Sequence, residues 1–273
     1  MQLLFFCPRW GRESLPWDAF AQNVKAAGYD GVEYAISRAI TQGELLAVGE
    51  VLAKHDLRVI TQHYDTYEAD FAHHQDLYST WFEQIKPVKP FRIDSQTGKD
   101  FFTFEQNKAL IDVATAFTAA TGIAVFHETH RNKFSFAAHV THMYLKAIPD
   151  LKITLDASHW VNVAESYLHD QPNAMQLAIE RTEHIHARVG HPEGPQISDP
   201  RLPEWQQAVD VHLGWWDRVV ARKRQEGSDA LLTITPEFGP PPYLVTLPFT
   251  QQPIADQWDV NVFMMNLLKD RYQ

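Results

Sequence analysis

Eight short apolar or β-branched runs recur along the chain. They begin near Leu3 (LLFFC), Gly31 (GVEYAI), Arg58 (RVITQHY), Phe91 (FRIDS), Ile123 (IAVFHE), Lys152 (KITLD), His184 (HIHARV) and Leu231 (LLTITPEF). Continuous apolar runs of this length suit strands buried on both faces, as in a parallel sheet. Helical spacing fills the gaps. Trp17, Phe20, Val24 and Ala27 share one face, with Pro16 near its start and Gly28 just past its end. Thr41 with Glu44, and Thr103 with Gln106, have the spacing of capping boxes. Leu110, Val113, Ala114 and Phe117 continue the second of these helices, and Gly122 can end it. Trp205, Val209, Leu213, Trp216 and Val220 form a stripe that runs into ARKRQEG, a basic helix end favoured by the macrodipole.

Strand starts are mostly spaced by about 30 residues, the size of one βα unit in a barrel. The pattern predicts an α/β fold, a (β/α)8 TIM barrel, as a single domain over residues 1–273. A doubly wound open sheet is the structural alternative. The one long step, from His184 to Leu231, contains GHPEGPQISDPRLPEW, which reads as a long loop after strand 7. No repeat, low-complexity tract or interdomain linker interrupts the beat.

With 45% hydrophobic and 21% charged residues, the composition is ordinary for a globular protein. Cys7 is the only cysteine, so disulfide staples play no part. The formal charge of -10 argues against a nucleic-acid partner. Met1 to Arg9 lacks a basic leader and reads as a strand, not a signal peptide. No segment approaches the ~20 apolar residues of a membrane span. The expectation is a soluble, cytoplasmic protein with no membrane partner.

Polar residues cluster where the later strands end. The fifth run ends in His127-Glu128-Thr129-His130, and the sixth in Asp156-Ala157-Ser158-His159. The seventh carries His184-Ile185-His186-Ala187-Arg188, and the eighth ends in Pro236-Glu237-Phe238-Gly239. A barrel gathers these ends around one axis, where barrel active sites are built. Glu128, Asp156, His186 and Glu237 make a hard, mixed oxygen and nitrogen set suited to one divalent ion: Mn²⁺, Zn²⁺, Co²⁺ or Mg²⁺. His184 and His186 point the same way, and the one nearer the mouth, His186, is the ligand candidate. Singly, each residue has a bland reading: a strand-end Glu as a cap or surface charge, His127 and His130 as local hydrogen-bonding groups, His159 as a helix cap, His63 as a structural histidine. Their coincidence at the same phase of four successive units outweighs these.

At these residues the chain resembles the xylose-isomerase-like TIM-barrel superfamily, in its sugar phosphate isomerase/epimerase-like branch. Relatives in that superfamily include ketose 3-epimerases, hydroxypyruvate isomerase, inosose dehydratase and endonuclease IV. The resemblance implies that Glu128, Asp156, His186 and Glu237 hold the metal, and that His159 contacts substrate. It further implies a metal-dependent sugar isomerase or epimerase, with Glu128 and Glu237 as the catalytic pair moving a proton next to a carbonyl. Arg188 follows His186 by two residues, closer than the substrate-binding arginine of the epimerases. Against endonuclease IV, the early strands offer Glu33, Arg92 and Asp94, an incomplete set for three metals. The further substrate-binding candidates are Arg188, His63, Trp10 and His191, with Phe126, Trp160 and Phe238 as walls. Residues 190–205 read as a lid carrying His191, Glu193 and Gln196, or as a contact in a homo-oligomer. The sequence contains no glycine-rich phosphate cradle. A carbohydrate is the expected partner; a hydrolase or lyase such as an endonuclease IV-like phosphodiesterase, and a non-catalytic polyol-binding barrel, are the alternatives.

Overall fold

The first strand, β1 (Gln2–Pro8), is buried over six of its seven residues because both of its faces are covered. It pairs in parallel with the last strand, β8 (Leu231–Thr235), at Gln2–Leu231 through Phe5–Ile234. Between them follow β2 (Gly31–Ala35), β3 (Arg58–His63), β4 (Arg92–Ser95), β5 (Val125–Glu128), β6 (Ile153–Leu155) and β7 (Thr182–His186). All eight close into a barrel in chain order, which rules out the open sheet. The computed structural model describes residues 1–273.

Nine helices surround the strands: α1 (Trp17–Ala27), α2 (Gln42–Lys54), α3 (Phe71–Ile85), α4 (Phe104–Thr121), α5 (Ala138–Ala147), α6 (Ala157–Ala164), α7 (Pro172–Arg181), α8 (Gln206–Gln225) and α9 (Gln257–Tyr272). Their ends follow the local chemistry. Thr41 and Glu44 bond reciprocally at the start of α2, as Thr103 and Gln106 do at α4. Gly28, with φ of 91°, closes α1 in a left-handed conformation that a side chain would strain. The helix beyond one per strand is α6, about two extra turns between β6 and α7, capped by the side chain of Asp156 and not by His159. None of the helices is long and apolar enough to cross a membrane.

The main apolar core lies between the sheet and the helix ring; it contains Phe5, Val32, Ile185 and Ile234 from strands with Trp160, Trp216 and Met264 from helices. Inside the barrel, only the N-terminal end is apolar, where Leu4, Phe6 and Ile60 pack with Phe91 and Leu231. Further up the barrel, the residues that meet across the axis are Glu33, Gln62, Glu128, His184, His186 and Glu237. These six buried polar side chains bond to one another, so this interior is ordered by charge and hydrogen bonds.

Candidate active site

Four neighbouring strand ends supply the centre. Glu128 is the last residue of β5, Asp156 follows β6, His186 ends β7, and Glu237 lies two residues beyond β8. One ligand atom from each lies within 4.8 Å of the others, and all four residues are buried. The His186 ring is held from below: its Nε2 is 3.1 Å from Glu33 Oε1. Glu33 also meets His184 Nε2 at 3.1 Å and accepts from the Thr235 hydroxyl. His184 therefore sits one layer deeper, its Nδ1 2.7 Å from Thr233 Oγ1. On its other side, His186 Nδ1 is 3.1 Å from Glu237 Oε2 and 3.5 Å from Glu128 Oε1. It bonds to neither; Nδ1 and Glu128 Oε1 both lack a hydrogen-bond partner. A ring nitrogen and a carboxylate oxygen thus converge unspent on one point.

Gln62, at the end of β3, ties the carboxylates together. Its amide nitrogen lies 3.2 Å from Asp94 Oδ2, 3.3 Å from Glu128 Oε2 and 3.3 Å from Glu237 Oε1. Arg188 does the same on the opposite flank. It donates to Asp156 Oδ2 at 2.5 Å and to Ser158 Oγ at 3.1 Å, and lies 3.7 Å from Glu237. The same guanidinium is 2.7 Å from His159 Nε2, which can only accept there. Burial first, and then His130 and Arg188, hold His159 neutral, well below the ordinary imidazole range.

Charge is unevenly matched. Burial, reinforced by Glu128, pushes the Asp94 carboxyl up, and burial likewise raises Glu128 against the pull of His186. For Glu237 burial is outweighed by His186 and Arg188, which draw its pKa down. Burial opposes a charged His186, yet Glu237 and Glu33 raise it well above its usual value. Five buried carboxylates (Glu33, Asp94, Glu128, Asp156 and Glu237) face one guanidinium, Arg188, and one imidazole, His186, whose second proton would sit on the nitrogen an ion would take. Excess negative charge, hard donors and two unspent atoms are the chemistry of a divalent-cation site.

A cavity of about 580 Å³ opens over this floor, within the range of small-molecule sites. Gln62, Glu128, Arg188 and Glu237 form its base, with Trp10, Tyr34, Tyr64, Tyr67 and Tyr243 among its walls. Trp10 meets Tyr243 edge-on at 5.2 Å and lies over Gly239, where a Cβ would collide with its ring. Of the expected substrate contacts, Trp10 and Arg188 line the cavity, while His159 stands behind Arg188.

Two others are not brought to it. His63 is fully buried between Tyr78 and Trp81, with Nε2 2.7 Å from the Thr66 hydroxyl, because β3 turns its last residue into the helix layer. His191 closes a tight bridge with Gly194 and packs at a tilt on Trp205, ring centres 4.8 Å apart. The segment 190–205 is a packed strap and not a free lid: Ile197 is fully buried, and the Gln196 amide pairs with both backbone groups of Gly239. Gln62, Lys133 and Tyr243 are among the cavity residues that the sequence pattern did not single out. For Gln62 the signal was present, a polar residue two after the buried Ile60 in β3; for Lys133 and Tyr243, both on loops, there was none.

No model of a protein family matches the chain, and no curated protein matches it in sequence. Solved structures do. The chain is similar to a D-psicose 3-epimerase from Clostridium cellulolyticum H10, 13% identical over 98% of each chain with a TM-score of 0.62. A probable 3-DHS dehydratase involved in petrobactin synthesis, from Bacillus anthracis, is 16% identical over 99% of this chain and 100% of its own, with a TM-score of 0.57. Endonuclease IV from Thermus thermophilus is 12% identical over 99% and 98%, again with a TM-score of 0.57. At these identities the likeness is one of fold, a (β/α)8 barrel.

Proposed function

We propose that this barrel is a divalent-metal-dependent isomerase or epimerase that moves a proton next to the carbonyl of a sugar-like substrate. The observation that carries the reading is the convergence of Glu128 Oε1 and His186 Nδ1, both unpartnered, between two glutamates on the floor of the cavity. Glu128, Asp156, His186 and Glu237 would hold the ion. When bound, a divalent ion supplies Lewis acidity toward the carbonyl and hydroxyl oxygens of the substrate.

The remaining work belongs to the side chains. One glutamate carboxylate takes the proton from the carbon beside the carbonyl. The other, protonated, returns a proton to the opposite face of that carbon or to its neighbour. The electron pair released from the broken C–H bond forms the new one, so no redox partner is required. Gln62 keeps the two carboxylates apart at a fixed spacing, and Arg188 offers donors to substrate oxygens. The aromatic walls limit water and orient the chain of the substrate. Structural likeness to a D-psicose 3-epimerase supports this reading, at the level of fold.

The test is metal content followed by proton exchange. The purified protein, reconstituted with Mn²⁺, is expected to hold about one ion per chain and to wash deuterium from solvent into a bound keto sugar. Glu128→Gln and Glu237→Gln are expected to lower exchange by about 10²-fold or more while an ion remains bound. Normal exchange in an ion-loaded glutamine variant removes the proton-transfer role. Two or three ions per chain would instead favour a phosphodiesterase.

A further inference from the structure

Lys133 is the one cavity-lining lysine, and its position is hard to explain by packing. It lies on the loop between β5 and α5, is 2% exposed, and its Nζ has no hydrogen-bond partner. The backbone fixes it there. Asn132 before it adopts a left-handed φ of 65°, the Lys133 N–H bonds His130 O at 3.3 Å, and Phe134 N bonds Thr97 O at 3.2 Å. Phe134 is itself buried against His127 and Tyr144. The side chain is therefore presented by an anchored loop and is not a stray surface group.

A buried ammonium without an acceptor is unfavourable, by several kcal/mol for an unpaired charge. Here the environment adds to the cost. The half-exposed Tyr67 ring, 5.6 Å from Lys133 Nζ, offers a cation–π contact, but Lys99 Nζ at 5.4 Å shares it, so a second cation stands close by. Burial, and after it Lys99, draw the Lys133 ammonium down to about 8, with Glu128, Asp65 and Asp100 opposing. Asp65 gives Oδ2 to Ser37 Oγ and the Arg38 N–H, and its Oδ1 lies 3.6 Å from Arg38 Nε. What this corner lacks is an anion, and it faces the cavity whose base is Glu128 and Glu237.

We propose that Lys133 anchors an anionic group of the substrate, so that the enzyme acts on a keto sugar bearing a carboxylate or phosphate remote from its carbonyl. This rests on the proton-transfer reading above for the position of the carbonyl end, over the two glutamates. It differs from a glycine-rich phosphate cradle in using one buried point charge, which accepts either anion.

The experiment is calorimetric titration of Mn²⁺-loaded protein with D-fructose, D-fructose 6-phosphate and D-fructuronate, three keto sugars differing at one end. At least one charged sugar is expected to bind about tenfold or more tightly than D-fructose, the scale of one charge-assisted bond. Whichever is preferred identifies the anion. In Lys133→Gln the preference is expected to fall to about twofold or less, and in Lys133→Arg to be largely kept. The arginine variant, with thermal melts of both, separates loss of the anchor from loss of the fold. If neither charged sugar binds more tightly than D-fructose, including the case in which none binds, or if the preference persists in Lys133→Gln, the proposal is overturned. Metal content on the same samples separates the two readings. A charge preference that Lys133→Gln abolishes, in protein that takes up no ion, keeps the anchor and removes the proton-transfer chemistry. An ion-loaded protein that shows no charge preference does the reverse.

Discussion

Glu33 decides which nitrogen of His186 is free. Its carboxylate meets the Nε2 atoms of both His184 and His186 and accepts from the Thr235 hydroxyl. Burial alone would raise its pKa, but His186 and His184 outweigh it and keep the group ionised. An ionised acceptor at Nε2 holds the proton on that side and makes Nδ1, among the glutamates, the nitrogen that gives way to an ion. Glu33→Gln replaces one acceptor oxygen with a donor, so the imidazole can turn its proton toward the centre. Mn²⁺ affinity is then expected to fall by about 10- to 100-fold, measured by titration of apo protein. An unchanged affinity would show that the ring keeps its tautomer without Glu33. The charge in GVEYAI is plain in the sequence, as are the strand-end acids. What the sequence does not carry is direction: it could place Gln62 and Lys133 on β3 and on a loop, but not show that both face one cavity. That depends on barrel closure and on the left-handed turn at Asn132.

At the scale of elements, the legible features are those set by neighbours in the chain. Both capping boxes and the glycine closures of α1 and α4 appear where the spacing puts them, because they involve residues three or four apart. The extra helix α6 was hidden, since its eight residues are too few for a periodic stripe. So was the strap after β7, whose Pro and Gly content suggested freedom while its contacts are tertiary. The strap and the β8 loop meet at Gly239, which pairs with Gln196 and lies under the Trp10 ring. Gly239→Ala drives a methyl into that ring, and the indole must move. The expected cost is about 1–3 kcal/mol of stability, as for an overpacked core, with a shifted tryptophan emission and a raised KM. A variant with unchanged emission and melting temperature would mean that Trp10 already moves freely, and that the wall it forms is not fixed by this contact.

The whole molecule shows how a barrel can hold many histidines without charging them. The eightfold beat of apolar runs was enough to predict closure, but not that the barrel interior and its surrounding layer would bury neutral imidazoles. Burial lowers His127 to about 3 and His212 to about 4 from an ordinary 6.5, and takes His63 well below its usual value. Hydrogen bonds agree with the neutral form. His212 Nδ1 faces Ala208 O at 2.8 Å while its Nε2 accepts the Gly190 N–H at 3.3 Å, so a second ring proton would confront a donor. The unfolded chain takes up protons at these histidines below about 6.5 while the folded one does not, so stability falls as pH drops through that value and keeps falling toward the folded pKa. Each such histidine costs roughly 2 kcal/mol between pH 6.5 and 5. The buried Asp94 and Glu128, with raised pKa values, act in the opposite sense, and Glu237, with a lowered one, loses its contribution only at lower pH. The melting temperature is therefore expected to drop from pH 6.5 to 5, with uptake of more than one proton on unfolding. His212 hydrogen-bonds only Ala208 O and the Gly190 N–H, none of the carboxylates, so His212→Gln isolates the cause. It is expected to reduce that uptake by about one proton, even if its stability at pH 8 is lower. An uptake unchanged by His212→Gln would mean that this ring takes a proton in place, against the Gly190 N–H it faces.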